Sequence, residues 1–141
     1  MSQGGKPGTD RTGPMVKVSW GELVDKLTIL EIKTKRLTSA AARANVQREL
    51  TALETVMREL RPPEQFVALK RDLAAVNKTL WDIEDQIRAK EAKGEFDARF
   101  VELARSVYIN NDKRANLKRE INKLLKSDLI EEKQYTSYVA D

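Results

Sequence analysis

The sequence predicts an all-α protein, an antiparallel up-down bundle of four helices, two shorter and two longer. Apolar residues recur three and four positions apart along most of the chain, which is the period of one helix face. Helix start and stop signals divide these runs, and the connections between them are short, so successive helices should be antiparallel neighbours. The clearest seam lies in 64–93, at Phe66, Leu69, Leu73, Val76, Leu80, Ile83 and Ile87.

The first helix is predicted over about 20–37. Ser19 and Glu22 have the capping-box spacing, in which the serine caps the helix and the glutamate reaches back to it. A smaller apolar pair, Ile29 and Ile32, points away from the main stripe. A helix that is apolar on two sides is either sandwiched between neighbours or half of a partner interface. The main stripe is Leu23, Leu27, Leu30, Thr34 and Leu37.

The remaining helices are predicted at about 40–60, 64–93 and 98–126. A Pro-Pro pair ends the second helix, because proline lacks the backbone donor and restricts the residue before it. Gly94 is a typical residue just past a helix end, and Asp97 can cap the last helix. The longer second pair should overhang the first and expose apolar seam, which makes a homodimer or a protein partner a real possibility.

The domain organisation is predicted to be simple. Residues 1–15 are mostly Gly, Pro and polar residues, which indicates a disordered leader, and 16–141 form one helical domain. The leader lacks the apolar stretch of a secretory signal, and no run approaches the roughly 20 apolar residues that span a bilayer. We therefore expect a cytoplasmic protein without a membrane partner.

Composition excludes several kinds of chemistry. The 141 residues include no Cys and no His, so disulfides, zinc ribbons and Ser-His or Cys-His catalysis are ruled out. Any chemistry must rest on carboxylates, Lys, Arg, Tyr or a hard cation such as Mg²⁺.

Charge is unevenly distributed towards the C-terminus. The segment 110–126 carries an excess of positive residues, and the tail 127–141 an excess of negative ones. An acidic tail can fold back on the basic end of the preceding helix. Acidic residues interrupt the basic segment on most turns, which argues against a nucleic-acid partner.

A polar stripe on the third helix is the first candidate site. Asn77, Trp81, Glu84 and Arg88 follow steps of four, three and four, so they share one helix face. In one interpretation Trp81 is core and the Glu84–Arg88 pair lies at its edge. In the other, Arg88 is an anion receptor oriented by Glu84, and Trp81 forms a pocket wall.

A second polar cluster lies on the fourth helix at Asn110, Asn111, Asp112 and Arg114, and Lys118 follows Arg114 by one turn, so that both flank the seam predicted to face the third helix. It is either a polar layer that fixes register, as a buried Asn does in coiled coils, or a phosphate or carboxylate site. In a ligand site Arg114 should line a cavity. In a register layer it should be fully paired with Glu84 or Asp112.

Two enzyme types are weaker alternatives. The carboxylates Asp82, Glu84, Asp85 and Glu91 could hold Mg²⁺ with a phosphate, as in helical pyrophosphohydrolases, but the fourth helix lacks the matching acidic pair. Small helical chorismate mutases clamp dicarboxylates with Arg and Lys, although their spacing is not matched here. The expected metal and cofactor content is therefore none, with Mg²⁺ as the weak exception.

The chain resembles an uncharacterised family of small bacterial and phage helical proteins. The resemblance covers about 16–135 and begins with the segment 18–33, Val-Ser-Trp-Gly-Glu-Leu-Val-Asp-Lys-Leu-Thr-Ile-Leu-Glu-Ile-Lys. It continues through 100–108 and 111–122, and the pattern from Asn77 to Arg88 also resembles a second such family. These resemblances imply an association with genes for surface polysaccharide and glycosyl transfer, and no particular reaction.

The leading hypothesis is a polar site between helices that binds an anionic small molecule, phosphorylated or carboxylated. A nucleotide sugar or sugar phosphate fits the context that the resemblance implies. Arg88, Arg114 and Lys118 would bind the anion, Asn77, Glu84, Asn111 and Asp112 would orient them, and Trp81 would wall the pocket. The alternative is a non-catalytic interaction module whose Ile29–Ile32 patch docks a partner such as a glycosyltransferase, and the sequence leaves enzymatic activity open.

Overall fold

Four helices make up the fold, as predicted. The computed structural model describes residues 12–129 and 131–139, and no strand occurs among them. The helices are α1 (Trp20–Arg36), α2 (Ala40–Glu59), α3 (Gln65–Lys93) and α4 (Ala98–Leu124). Each predicted boundary lies within two residues of the observed one. The predicted leader, 1–15, lies mostly outside the described residues.

The helix ends follow from local side-chain chemistry. Ser19 Oγ accepts a hydrogen bond from the Glu22 backbone N–H at 3.1 Å, and Ser39 caps α2 in the same way. Asp97 Oδ1 accepts from Phe100 N at 3.0 Å, which confirms the predicted cap of α4. Gly94 ends α3 with a φ of 67°, a left-handed conformation that glycine adopts without steric cost.

The shortest helix, α1, is the centre of the bundle. It contacts α2, α3 and α4, and α3 and α4 also pair along their lengths, whereas α2 packs against α1. Of the two alternatives left open for α1, the structure shows the helix packed between neighbours within the bundle. Because α1 has neighbours on three sides, two of its polar side chains, Asp25 and Thr28, are buried along with its apolar ones.

Two apolar clusters hold these contacts. Leu27 and Leu30 of α1 pack with Val46 and Leu50 of α2. On the other side of α1, Val24 packs with Phe66, Leu73 and Ile121 from α3 and α4. Met57 contacts both clusters and so joins α2 to the rest of the core.

The α1 and α4 backbones approach each other closely at Gly21. The Gly21 N–H donates to Asn122 Oδ1 at 2.6 Å, and Asn122 is itself buried. A Cβ placed on Gly21 would overlap the Lys118 backbone oxygen and lie 2.8 Å from Asn122 Oδ1. Glycine is therefore required here for helix packing.

We expect Gly21→Ala to lower the free energy of unfolding by about 2 kcal/mol, because the methyl group must push α4 away. Urea unfolding followed by circular dichroism measures this change. Gly13→Ala is the matched control, since nothing lies within 4 Å of its added Cβ. Equal stability of the two variants would show that α1 and α4 can separate without cost.

The tail folds back on α4, as its charge predicted. Glu131 Oε2 lies 2.7 Å from Lys118 Nζ, and the rings of Tyr138 and Tyr108 are 5.0 Å apart. Lys133 Nζ lies 2.9 Å from Asp112 Oδ1. Residues 131–139 form no helix or strand and are all exposed, so these side-chain contacts attach them to the bundle.

Candidate functional site

A buried carboxylate, Asp25, is the centre of the polar site. It lies on the face of α1 that meets α3 and α4 and is 1% exposed. Arg114 of α4 donates to it twice, from Nε to Oδ1 at 2.9 Å and from Nη2 to Oδ2 at 2.5 Å. This two-point pairing is the strong, geometrically specific form of the Arg–carboxylate interaction.

Asn77 joins α3 to the same group. Its Nδ2 donates to Asp25 Oδ1 and to Thr28 Oγ1, both at 2.9 Å, and the Thr28 hydroxyl donates to the Asp25 backbone oxygen at 2.7 Å. Asn77 and Thr28 are both buried. Three helices are thus tied by one fully hydrogen-bonded network, as buried polar groups require.

Lys118, one turn after Arg114, extends the network towards the tail. Its Nζ lies 2.8 Å from Glu22 Oε2, 2.7 Å from Glu131 Oε2 and 4.0 Å from Asp25 Oδ2. The whole residue is only 6% exposed. Opposite charges therefore surround this lysine and offset the cost of burying it.

The pairing governs the protonation of these groups. Burial by itself raises the pKa of Asp25, but hydrogen bonds from Arg114 and Asn77 and the charges of Arg114 and Lys118 outweigh it, so the pKa lies below 3.8. Burial lowers the pKa of Lys118, and its contacts with Glu131 and Glu22 reverse that effect and raise it above 10.5. Asp25, Arg114 and Lys118 are therefore all charged at neutral pH.

This geometry corrects the predicted surroundings of Arg114 and Lys118. Both side chains were expected to flank the seam facing α3, and Arg114 was expected either to pair with Glu84 or Asp112 in a register layer or to line a cavity in a ligand site. Instead of Glu84 or Asp112, Arg114 pairs with Asp25 of α1, and Lys118 pairs with Glu22 of the same helix. This partner was not predicted because α1, which packs against both α3 and α4, presents its own carboxylate to Arg114.

Arg114 also lines a cavity, so it is both paired, as expected of a register layer, and beside a cavity, as expected of a ligand site. A groove of about 590 Å³ lies between α3 and α4 beside Ile29 of α1, within the size range of ligand sites. Nη1 of Arg114 has no hydrogen-bond partner among residues 12–129 and 131–139. The groove is lined by Ile29, Asn77, Leu80, Trp81, Glu84, Asp85, Arg88, Val107, Asn111 and Arg114.

The groove brings together most of the predicted site residues. Six of the eight line it, and Arg88 Nε donates to Glu84 Oε2 at 3.1 Å, the pairing along the helix that the spacing predicted. The Arg88 side chain is 80% exposed, so this pair is weak and can open at little cost. The six are Asn77, Trp81, Glu84, Arg88, Asn111 and Arg114.

The two other predicted residues lie outside this groove. Asp112 pairs with Lys133 of the tail and does not orient Arg114. Lys118 lines a separate pocket of about 310 Å³ between α1, α4 and the tail. Arg114 and Asn111 also line that pocket and form the wall between the two spaces.

The carboxylates considered for Mg²⁺ do not converge. Asp82 pairs with Arg36 and Glu84 with Arg88. Within 12–129 and 131–139 no three acidic residues are grouped closely enough to hold a metal ion. The described part of the chain thus provides no ligand set for the magnesium-dependent alternative.

Ile29 and Ile32, the patch proposed for partner docking, are half-buried. Ile29 lines the groove described above, and Ile32 lines a smaller one of about 250 Å³ between α1 and α3. The apolar side chains exposed at the far end of the α3–α4 pair are instead Phe96 and Val101.

Sequence reasoning missed Asp25 as the centre of the site. A signal was available, because Asp25 stands between Val24 and Leu27 in a helix that is apolar on two sides. Asp25 also lies four residues before Ile29, on the smaller apolar face of that helix, and a charge buried on such a face requires a partner.

The fold and site together define a small helical-bundle protein with a buried ionic network beside an open amphipathic groove. The chain belongs to the family of unknown function DUF6165, whose sequence pattern matches residues 15–141. Neither a search of curated proteins nor a search of solved structures found a match to this chain. No helix in the described residues is long and apolar enough to cross a membrane.

Proposed function

We propose that the groove between α3 and α4 binds a phosphorylated small molecule with a sugar-like polar part, such as a sugar phosphate or nucleotide sugar. The observation that carries this proposal is Arg114, which lines the groove and is fixed by Asp25 through two of its nitrogens, while Nη1 has no hydrogen-bond partner among the described residues. An anion-binding group that is already oriented loses little entropy when a ligand binds.

The other groove residues support the same ligand class. Arg88 can exchange its exposed contact with Glu84 for a phosphate oxygen. Glu84 and Asp85 repel a bare anion, but they accept hydrogen bonds from hydroxyl groups. Trp81 provides a flat apolar wall against which a sugar ring or a base can stack.

The charges in the groove favour a mixed ligand over a simple anion. Two arginines face two carboxylates there, so the net charge of the lining is zero. Inorganic phosphate gains from the arginines and is repelled by the carboxylates. A sugar phosphate can place its phosphate at one group and its hydroxyls at the other. The proposed function is ligand binding, without a catalytic step. The placement of that ligand in surface-polysaccharide or sugar-nucleotide metabolism comes from the family resemblance over 16–135.

Thermal-shift and calorimetric titrations with glucose 1-phosphate, uridine diphosphate glucose, inorganic phosphate and citrate test this proposal. At a hundred times its dissociation constant, a ligand stabilises the fold by about 2.7 kcal/mol. We expect a sugar phosphate or nucleotide sugar to bind more tightly than phosphate or citrate. Arg88→Gln should weaken that binding about tenfold or more, since it removes a charge-assisted hydrogen bond.

Arg105→Gln is the matched control, because Arg105 is an exposed arginine of α4 outside the groove. The proposal is wrong if no probe binds wild type, or if both variants lose affinity equally. Light scattering on the same samples tests the interaction-module alternative. A stable dimer that Val101→Asp dissociates, together with the absence of ligand binding, would favour that alternative, because Val101 is 54% exposed.

A further inference from the structure

The pocket on the other side of Arg114 has features that the groove lacks. Its lining includes a buried lysine, Lys118, together with Glu22, Glu131, Lys133 and Tyr135, and it encloses about 310 Å³. The groove proposed above does not include these five residues. The two spaces can therefore be tested independently.

Three carboxylates surround Lys118, and they are held very differently. Asp25 is fixed by Arg114 and Asn77. Glu22 lies in the first turn of α1, where the helix dipole favours a negative charge. Glu131 belongs to the tail, which has no helix or strand, and its side chain is 56% exposed. Of the three, Glu131 is the carboxylate that can move away without disturbing a helix.

We propose that this pocket is a second anion site, in which the Glu131 carboxylate occupies the position of an external carboxylate or phosphate group. Exchange of Glu131 for such a group keeps Lys118 paired, so it avoids leaving a buried charge uncompensated. Lys133 and Tyr135 line the same pocket and provide further donors for the incoming anion. The site takes one small anionic group, and Glu131 competes with it.

Glu131→Gln tests this site with inorganic phosphate and with acetate as probes, at constant ionic strength. Calorimetric titration should show affinity for at least one probe rising about two- to fivefold, the factor expected when a solvent-exposed carboxylate no longer competes for Lys118. A gain in affinity for phosphate alone would identify the natural ligand group as a phosphate, and a gain for acetate alone would identify it as a carboxylate. Glu132→Gln is the matched control, because Glu132 is an exposed neighbour outside the pocket, and it should behave as wild type.

Arg88→Gln separates this inference from the proposed function. The gain from Glu131→Gln should persist when Arg88→Gln is added, since Arg88 lies in the groove only. Loss of the gain in that double variant would place the anion in the groove and overturn the second site. Equal gains in affinity for Glu131→Gln and Glu132→Gln would show that the overall charge of the protein causes the gain, which would overturn the second site. The absence of a gain for both phosphate and acetate would overturn it as well. If wild type fails to bind sugar phosphates, the function proposed for the groove is wrong, and the second anion site is not affected.

Discussion

Asp25→Ala should lower the free energy of unfolding by about 3 kcal/mol, the loss expected when one partner of a buried ion pair is removed. Arg114 would lose both of its hydrogen bonds and Lys118 a nearby charge, while both remain largely enclosed. Urea unfolding at pH 7 measures the loss. Asp72→Ala is the control, an exposed aspartate of α3 whose removal should change stability by less than about 0.5 kcal/mol.

The pH dependence of the same comparison identifies the cause. Because the folded pKa of Asp25 lies below the ordinary 3.8, its contribution to stability is fully present above about pH 4 and is lost as pH falls through the folded pKa. The difference between wild type and Asp25→Ala should therefore narrow below about pH 4. A difference that stays constant down to pH 2 would assign the loss to packing instead of charge.

Replacement of the whole pair should be much less harmful than removal of one partner. We expect Arg114→Met to lower stability by about 3 kcal/mol, because the buried Asp25 carboxylate then keeps only the hydrogen bond from Asn77 and the more distant charge of Lys118, 4.0 Å away. The double variant Asp25→Leu, Arg114→Met should return to within about 1 kcal/mol of wild type, since apolar residues of similar size often replace a buried ion pair without cost. The single variants Asp25→Leu and Arg114→Met and the double variant form a cycle that measures this coupling.

The double variant also separates stability from ligand binding. It retains Arg88 and Trp81 in the groove but loses the guanidinium group of Arg114. A protein that is as stable as wild type and no longer responds to sugar phosphates would assign Arg114 a role beyond holding the helices. If the double variant is as unstable as Arg114→Met, the hydrogen bonds with Asn77 and Thr28 stabilise the fold more than the attraction between the two charges does.

Much of the candidate groove could be predicted from the sequence because it lies along one helix. Asn77, Trp81, Glu84 and Arg88 share a face of α3 through their spacing alone, and Glu84 can reach Arg88 within that helix. The partner of Arg114 could not be predicted in this way. Asp25 is 89 residues away in the chain, and no local rule connects the two.

The sequence by itself determined the four helices, their boundaries and the short connections between them, because caps, breakers and apolar periodicity act within a few residues. It also predicted the return of the acidic tail to α4 through the charge imbalance between 110–126 and 127–141. Only the tertiary structure decided that α1 lies at the centre, that Asp25 pairs with Arg114, and that Arg114 separates two spaces. The physical reason is that packing angles and burial depend on all neighbours at once, so the cost of a buried charge selects its partner from anywhere in the chain.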